Sequence, residues 1–256
     1  MSNAYLHSFQ SEWLKKRRSA AAWLTVAGAL LVPVIILIAR FIDSGGLAAV
    51  NRSARLWESL YNRSWQFMAF FLLPMGVVLA TSLITQLEFR NNAWKQVCTT
   101  PQTLTMIFLT KFSVILVMLL QFFVLFNIGI YLEGALPSLL RDVPYPPERI
   151  PFAALLRGNG KFLLDCLPIV ALQYLLSLQF RNFLIPLGAG LGLYVGAMIA
   201  AHWKYGYTVP YTYATLEYIG ARSPSGTVNF HAWAVAYFCG FLVLAYILYI
   251  TKKEKG

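Results

Sequence analysis

The stretch KKRRSAAAWLTVAGALLVPVIILIAR, Lys15 to Arg40, sets four consecutive basic side chains against an apolar run that carries no charge until Arg40. A helix rising ~1.5 Å per residue needs about 20 apolar residues to cross ~30 Å of hydrocarbon, which is the length of this run. Lys and Arg flanking a first span stay on the cytoplasmic side, so the run at Lys15–Arg18 predicts a cytoplasmic N-terminus. A secretory leader would have an apolar run of only ~7–15 residues and a small-x-small cleavage site, so the segment is read as a retained span.

The same punctuation recurs along the chain. Of 256 residues, 58% are hydrophobic and 12% charged, against about 25% charged in a soluble domain. Apolar intervals run from Ser19 to Ala39, Trp65 to Leu87, Phe112 to Leu132, Phe162 to Phe180, Asn182 to Trp203 and Ala232 to Thr251, each bounded by a charged residue or His231. Alternating ~10-residue strands of a membrane barrel are not seen. The fold expected is an all-α polytopic membrane protein. It has an interfacial helix over 1–18 and one transmembrane domain over 19–256, with spans near 19–39, 65–87, 103–132, 162–180, 182–203 and 232–251. Six crossings return Lys252, Lys253 and Lys255 to the side of the N-terminus, and a bacterial inner membrane is the expected location. Lys and Arg are otherwise split almost evenly between the two sides, so the orientation rests on the first basic run.

The net charge of +11 is assigned to anionic lipid headgroups rather than nucleic acid, because no soluble segment carries a basic stripe with stacking aromatics. Cys98, Cys166 and Cys239 are scattered and imply neither a disulfide framework nor a CxxC metal site. In residues 1–18, Tyr5, Leu6, Phe9, Trp13 and Leu14 share one helical arc and Ser8, Ser11, Lys15 and Arg18 the other, which suits a helix lying in the interface. A disordered basic tail is the alternative. Gly188, Gly192 and Gly196 recur every fourth residue on one helix face, with Ala200 continuing the row, and predict a close helix crossing inside the bundle or at a dimer seam.

Asp165 is the acid expected inside an apolar interval, about 6 Å into the fourth span, where reaching the headgroups or pairing with Lys161 is preferred to a functional role. Gln121, Asn127, Gln173 and Gln179 are read as interhelical hydrogen-bonding groups. Catalytic signatures are missing. GNGK at Gly158–Lys161 lacks the glycine at 155 and the Ser or Thr after the lysine that a phosphate loop needs. No HExxH or GxSxG occurs, and His7, His202 and His231 are far apart in sequence, so neither a catalytic residue nor a metal site is assigned. A rival class, a membrane enzyme acting on lipid-linked substrates, would draw on Arg141, Asp142, Glu148, Arg149 and Arg157. Their alternating signs more often mark a solvated loop. A non-transporting scaffold is a third possibility.

Between the second and third spans lies EFRNNAWKQVCTTP, Glu88 to Pro101. On a helical wheel Phe89, Ala93, Trp94, Val97 and Cys98 fill one half, and Asn91, Asn92, Lys95 and Gln96 the other; Arg90 intrudes on the apolar side. This predicts a short surface helix, with Thr100 as N-cap and Pro101 at the first position of the helix that re-enters the membrane. A solvated loop is the alternative.

With this segment, followed by Lys111 entering the third span, the near-absence of a loop at LQFRNFLIPLGAGLG and the aromatic PYTYATLEYIG before the last span, the chain resembles the permease subunits of ABC type-2 transporters, particularly six-span permeases of the bacitracin and lantibiotic resistance kind. The resemblance implies that Glu88 to Thr100 is a coupling helix docking on a separate ATPase subunit, with Glu88, Arg90, Asn91, Trp94, Lys95 and Val97 as the contact set. It also implies a second permease, identical or paralogous, and ATP and Mg bound by the partner ATPase rather than by this chain. Export of a peptide, antibiotic or lipid-like substrate follows as the expected function. Val97-Cys98 departs from the bulkier aliphatic pair expected there, and the proline-rich segment Pro137–Pro151 is longer than expected.

Overall fold

The computed structural model describes residues 2–17, 19–90, 103–141, 143–180, 182–220 and 229–251, with backbone alone at 2–4, 44 and 87–90. Among these residues the regular structure is entirely helical. The helices are α1 (Ser2–Arg17), α2 (Ala20–Ile42), α3 (Leu47–Asn51), α4 (Leu56–Phe67), α5 (Leu73–Arg90), α6 (Leu104–Leu140), α7 (Phe152–Gln179), α8 (Leu184–Ala200), α9 (Tyr213–Ile219) and α10 (Phe230–Thr251). Among the described residues, five continuous helical stretches are long and apolar enough to cross a membrane, and α8 is a shorter apolar helix of 17 residues.

Charges mark the edges of the apolar layer rather than the ends of the helices. In α4, Leu56, Trp57, Leu60, Tyr61 and Ser64 are buried on one stripe while Glu58 and Arg63 face outward, so a segment that sequence places in an outer loop is an amphipathic helical extension of the second span. A π-turn at Met68–Leu72 joins α4 to α5. Pro74 has no amide to offer the Phe70 carbonyl, and the Tyr194 hydroxyl of α8 donates to that carbonyl instead. Similarly α6 continues past Glu133, and α7 begins ten residues before Phe162, at Phe152.

Packing is organised around α6 and α7. Helix α2 lies along α6, α5 and α10 lie along α7, and α1 crosses α6. Bulky side chains meet glycines at the close approaches: a Cβ at Gly129 would come within 2.7 Å of Pro33, and one at Gly134 within 2.5 Å of the Trp57 ring. Lipid offers no hydrophobic drive for helix association, so such close van der Waals contact is what holds neighbours together.

The chain after α8 departs most from expectation. The 17 residues of α8 span about 26 Å, slightly short of the hydrocarbon thickness. The following segment, expected as an outer loop, folds back into the bundle: Tyr211, Thr212, Tyr213, Ala214, Thr215 and Leu216 are buried. Gly220, at φ +66°, closes α9 in the left-handed conformation that favours glycine.

Candidate functional site

The segment proposed for docking lies mostly outside the described residues: Asn91, Trp94, Lys95 and Val97, like Thr100 and Pro101, fall there. Glu88 and Arg90 belong to the last turn of α5. The described start of α6 is at Leu104, where Thr103 accepts a hydrogen bond from the Met106 amide at 3.3 Å. Residues 91–102 therefore join the ends of α5 and α6. The Gln86 amide donates to the Phe180 carbonyl at 3.1 Å, bringing the short turn between α7 and α8 to the same end. Thr105 bonds Tyr246 at 2.9 Å, adding the last turns of α10.

Helix α1 sits against α6 through a mixed stripe: Phe9 and Trp13 of the apolar arc pack on the core beside Ser8 and Lys16, while Ser11 and Lys15 of the polar arc are exposed. Ser8 and Lys16 are buried, whereas Leu6 and Leu14 are exposed. Tyr5 bonds Ser113 at 2.7 Å, Ser8 donates to Thr110 at 3.3 Å, Glu12 pairs with Lys111 at 3.5 Å, and Lys16 donates to Gln121 at 2.8 Å. Burial holds the Lys16 ammonium below the ordinary lysine pKa. Spacing of four residues puts Ser8, Glu12 and Lys16 on one stripe; α6 supplies polar partners for it, and the leucines are left for lipid.

The opposite end holds a cluster of ionisable groups. Asp165 is fully buried about 20 Å along α7 from Phe152, not one turn into the helix, because α7 starts earlier than the charge pattern suggests. Its partner is His231 at the first turn of α10, with Nδ1 and Oδ1 2.7 Å apart. Lys161 does not pair with Asp165 but donates to Glu217 of α9 at 2.8 Å, and Glu217 also lies 3.5 Å from His231 Nε2. The cluster ties α7, α9 and α10 together. Asp165, Glu217 and His231 each offer a ligand atom, and these atoms lie within 4.8 Å of one another.

Asp165 is not the only buried acid. Glu133, expected in an outer loop, is fully buried within α6 and accepts from Ser64 at 3.3 Å. Arg40, at the end of α2, donates to the Glu133 carbonyl and to Asn51. Asn51 in turn donates to Ser138 at 3.2 Å and the Pro144 carbonyl at 3.0 Å. A buried guanidinium thus fastens the α2–α3 corner to α6.

Asn127 and Gln173 bridge helices. Asn127 and Asn159 exchange amide hydrogen bonds at 3.0 and 3.2 Å between α6 and α7. Fully buried Gln173 donates to Ser82 on α5 and the Pro186 carbonyl of α8, both at 2.8 Å, and accepts from Tyr211 at 3.4 Å. Gly190 packs against this node: a Cβ there would meet Gln173 Oε1 at 2.5 Å and Val78 at 2.7 Å. Gly188, Gly192 and Gly196 face outward, and a methyl added to any of them would meet nothing within 4 Å, so their row forms no crossing inside the bundle. The glycine that packs within the chain is offset from that row by two residues.

Among the described residues no ion pair links Arg141, Glu148, Arg149 or Arg157. Glu217 and His231 are the functional candidates that sequence reading passed over. The signal available was topological: Lys161, Asp165, Glu217 and His231 all fall toward one end of the six-span arrangement.

Among the described residues the chain is an all-α polytopic bundle whose last apolar helix is preceded by a buried segment. A family model described as ABC-2 family transporter protein matches residues 8–195, and the chain belongs to that family as a membrane permease. No curated relative and no solved structure matches it.

Proposed function

We propose that this chain is the membrane half of an ABC exporter driven by a separate ATPase that docks on Glu88–Thr100, in a bacterial cytoplasmic membrane with both termini inside. The observation that carries this is the family match across residues 8–195, which includes the whole docking segment. Closure of the ATPase pair pushes the segment, and α5 and α6 receive the push at their ends. The Gln173 node makes α5, α7, α8 and the re-entrant segment move together, because displacing one would strand buried polar groups on the others. Two arrangements of that body, biased by nucleotide state in the partner, give inward and outward forms.

A hollow of about 370 Å³ lined by Leu24, Gly28, Leu31, Phe71, Gly76 and Phe122 lies between α2 and α5 over α6. Its apolar lining supports a lipid-like or apolar peptide substrate. The exposed Gly188, Gly192 and Gly196 row supports a second permease packed on α8. Mild-detergent purification is expected to bring down a Walker-type ATPase, and Trp94→Ala or Glu88→Lys to abolish transport-coupled ATP hydrolysis while the chain still inserts. Undiminished transport in both variants would exclude the docking assignment.

A further inference from the structure

We propose that Asp165, Glu217 and His231 bind a divalent transition-metal cation such as zinc, which pins the re-entrant helix α9 and the start of α10 to α7. The three residues come from three elements and converge, with ligand atoms within 4.8 Å of one another. Tetrahedral zinc with bonds of about 2.0–2.2 Å places ligand atoms about 3.4 Å apart, so closing the site needs shifts of about 1 Å and one ring nitrogen of His231 turned to serve with both carboxylates.

Two further observations point to a ligand. Asp165 is fully buried, yet its Oδ2 has no hydrogen-bond donor among the described residues. Next to the cluster the Tyr213 hydroxyl is likewise buried and unpartnered among those residues. Its ring stacks on Phe230 at 6.2 Å, and Phe230 contacts the His231 ring at 4.3 Å. A buried polar atom without a partner is costly, and a bound cation gives the Asp165 Oδ2 one. One imidazole and two carboxylates favour a borderline transition ion; magnesium and calcium prefer oxygen alone, and copper(I) prefers sulfur.

Lys161 makes the idea testable against a plain ion-pair network. Its ammonium sits on Glu217 at 2.8 Å and is half exposed, so it competes with a metal for that carboxylate and can swing away. The full chain, tag removed, is purified in mild detergent, stripped with chelator and titrated with zinc, with elemental analysis after desalting and cobalt absorption as a second readout. Expected are about one zinc per chain, affinity about tenfold or more weaker in Asp165→Asn and His231→Gln, and affinity equal or tighter in Lys161→Met. Should His231→Gln fail to elute as a monodisperse helical protein, the partly exposed Glu217→Gln replaces it. Substoichiometric zinc in the wild type, equal affinity in the ligand variants, or loss of binding in Lys161→Met overturns the proposal. None of these readouts requires the ATPase.

Discussion

Replacing Gly190 by alanine tests whether α8 is held by the Gln173 node. The added methyl would lie 2.5 Å from Gln173 Oε1 and 2.7 Å from a Val78 methyl, both on neighbouring helices. Overpacking of this kind costs about 1–3 kcal/mol. Moving Gln173 also weakens the bond it accepts from Tyr211, worth about 1 kcal/mol. Against this, alanine is favoured over glycine in a helix by about 1 kcal/mol. The net loss is then about 1–3 kcal/mol. For a chain of this size each kcal/mol moves the melting temperature by about 2–4 °C, so Gly190→Ala should melt roughly 2–12 °C lower.

The control is Gly192→Ala, two residues along the same helix, where the methyl meets nothing within 4 Å. Only the propensity gain applies, so its melting temperature should be unchanged or slightly raised in a single-chain preparation. Thermal unfolding in one detergent, followed by intrinsic fluorescence, compares the two. A Gly190→Ala protein as stable as the wild type, or a Gly192→Ala protein equally damaged as a monomer, would refute the packing argument.

Arg40→Met should destabilise by about 3–5 kcal/mol, because it strands the buried acceptors on Glu133 and Asn51. Arg40→Lys should recover little of this, since an ammonium cannot reproduce the two-pronged donation; thermal melts of both variants check it. Asn159→Leu should cost about 1–2 kcal/mol by leaving Asn127 half satisfied, whereas Asn127→Leu with Asn159→Leu should cost less than the sum of the single changes. A double-mutant cycle with no coupling would contradict the reciprocal pair.

Much of the architecture was legible because lipid forces a simple rule on the chain. Uncharged runs of about 20 residues must be helices, and their order could be read directly, although the fifth interval forms a shorter apolar helix of 17 residues. The failures share one cause. A charged residue reports the edge of the apolar layer only when it faces outward, and Glu133 and Asp165 do not. Both are fully buried with partners on other elements, and Glu133, read as the end of the third span, lies inside α6. The periodicity of α1 was visible, but not which residues of each arc a neighbouring helix would cover. In water a polar arc faces solvent; in a bilayer lipid takes the leucines, and the partners at Thr110, Lys111 and Gln121 decide the rest.

The glycines show how little spacing alone specifies. A row at every fourth residue proves that those residues share a face, not that the face is covered. Gly190 belongs to no such row, yet it is the position where α8 meets α5 and α7. What distinguishes it is Gln173 on the facing helix, 17 residues earlier in the chain, whose amide must reach the Pro186 carbonyl one turn below Gly190. A side chain at 190 would block that approach. The same dependence on a partner from elsewhere in the chain hid His231: only the return of α9 into the bundle places it and Glu217 beside Asp165. The returning segment packs on both α7 and α8 just where the 17-residue α8 ends. Lengthening α8 by one turn should therefore disperse the cluster even with every ionisable residue intact, and loss of the Asp165–His231 pair without loss of helix content would be its signature.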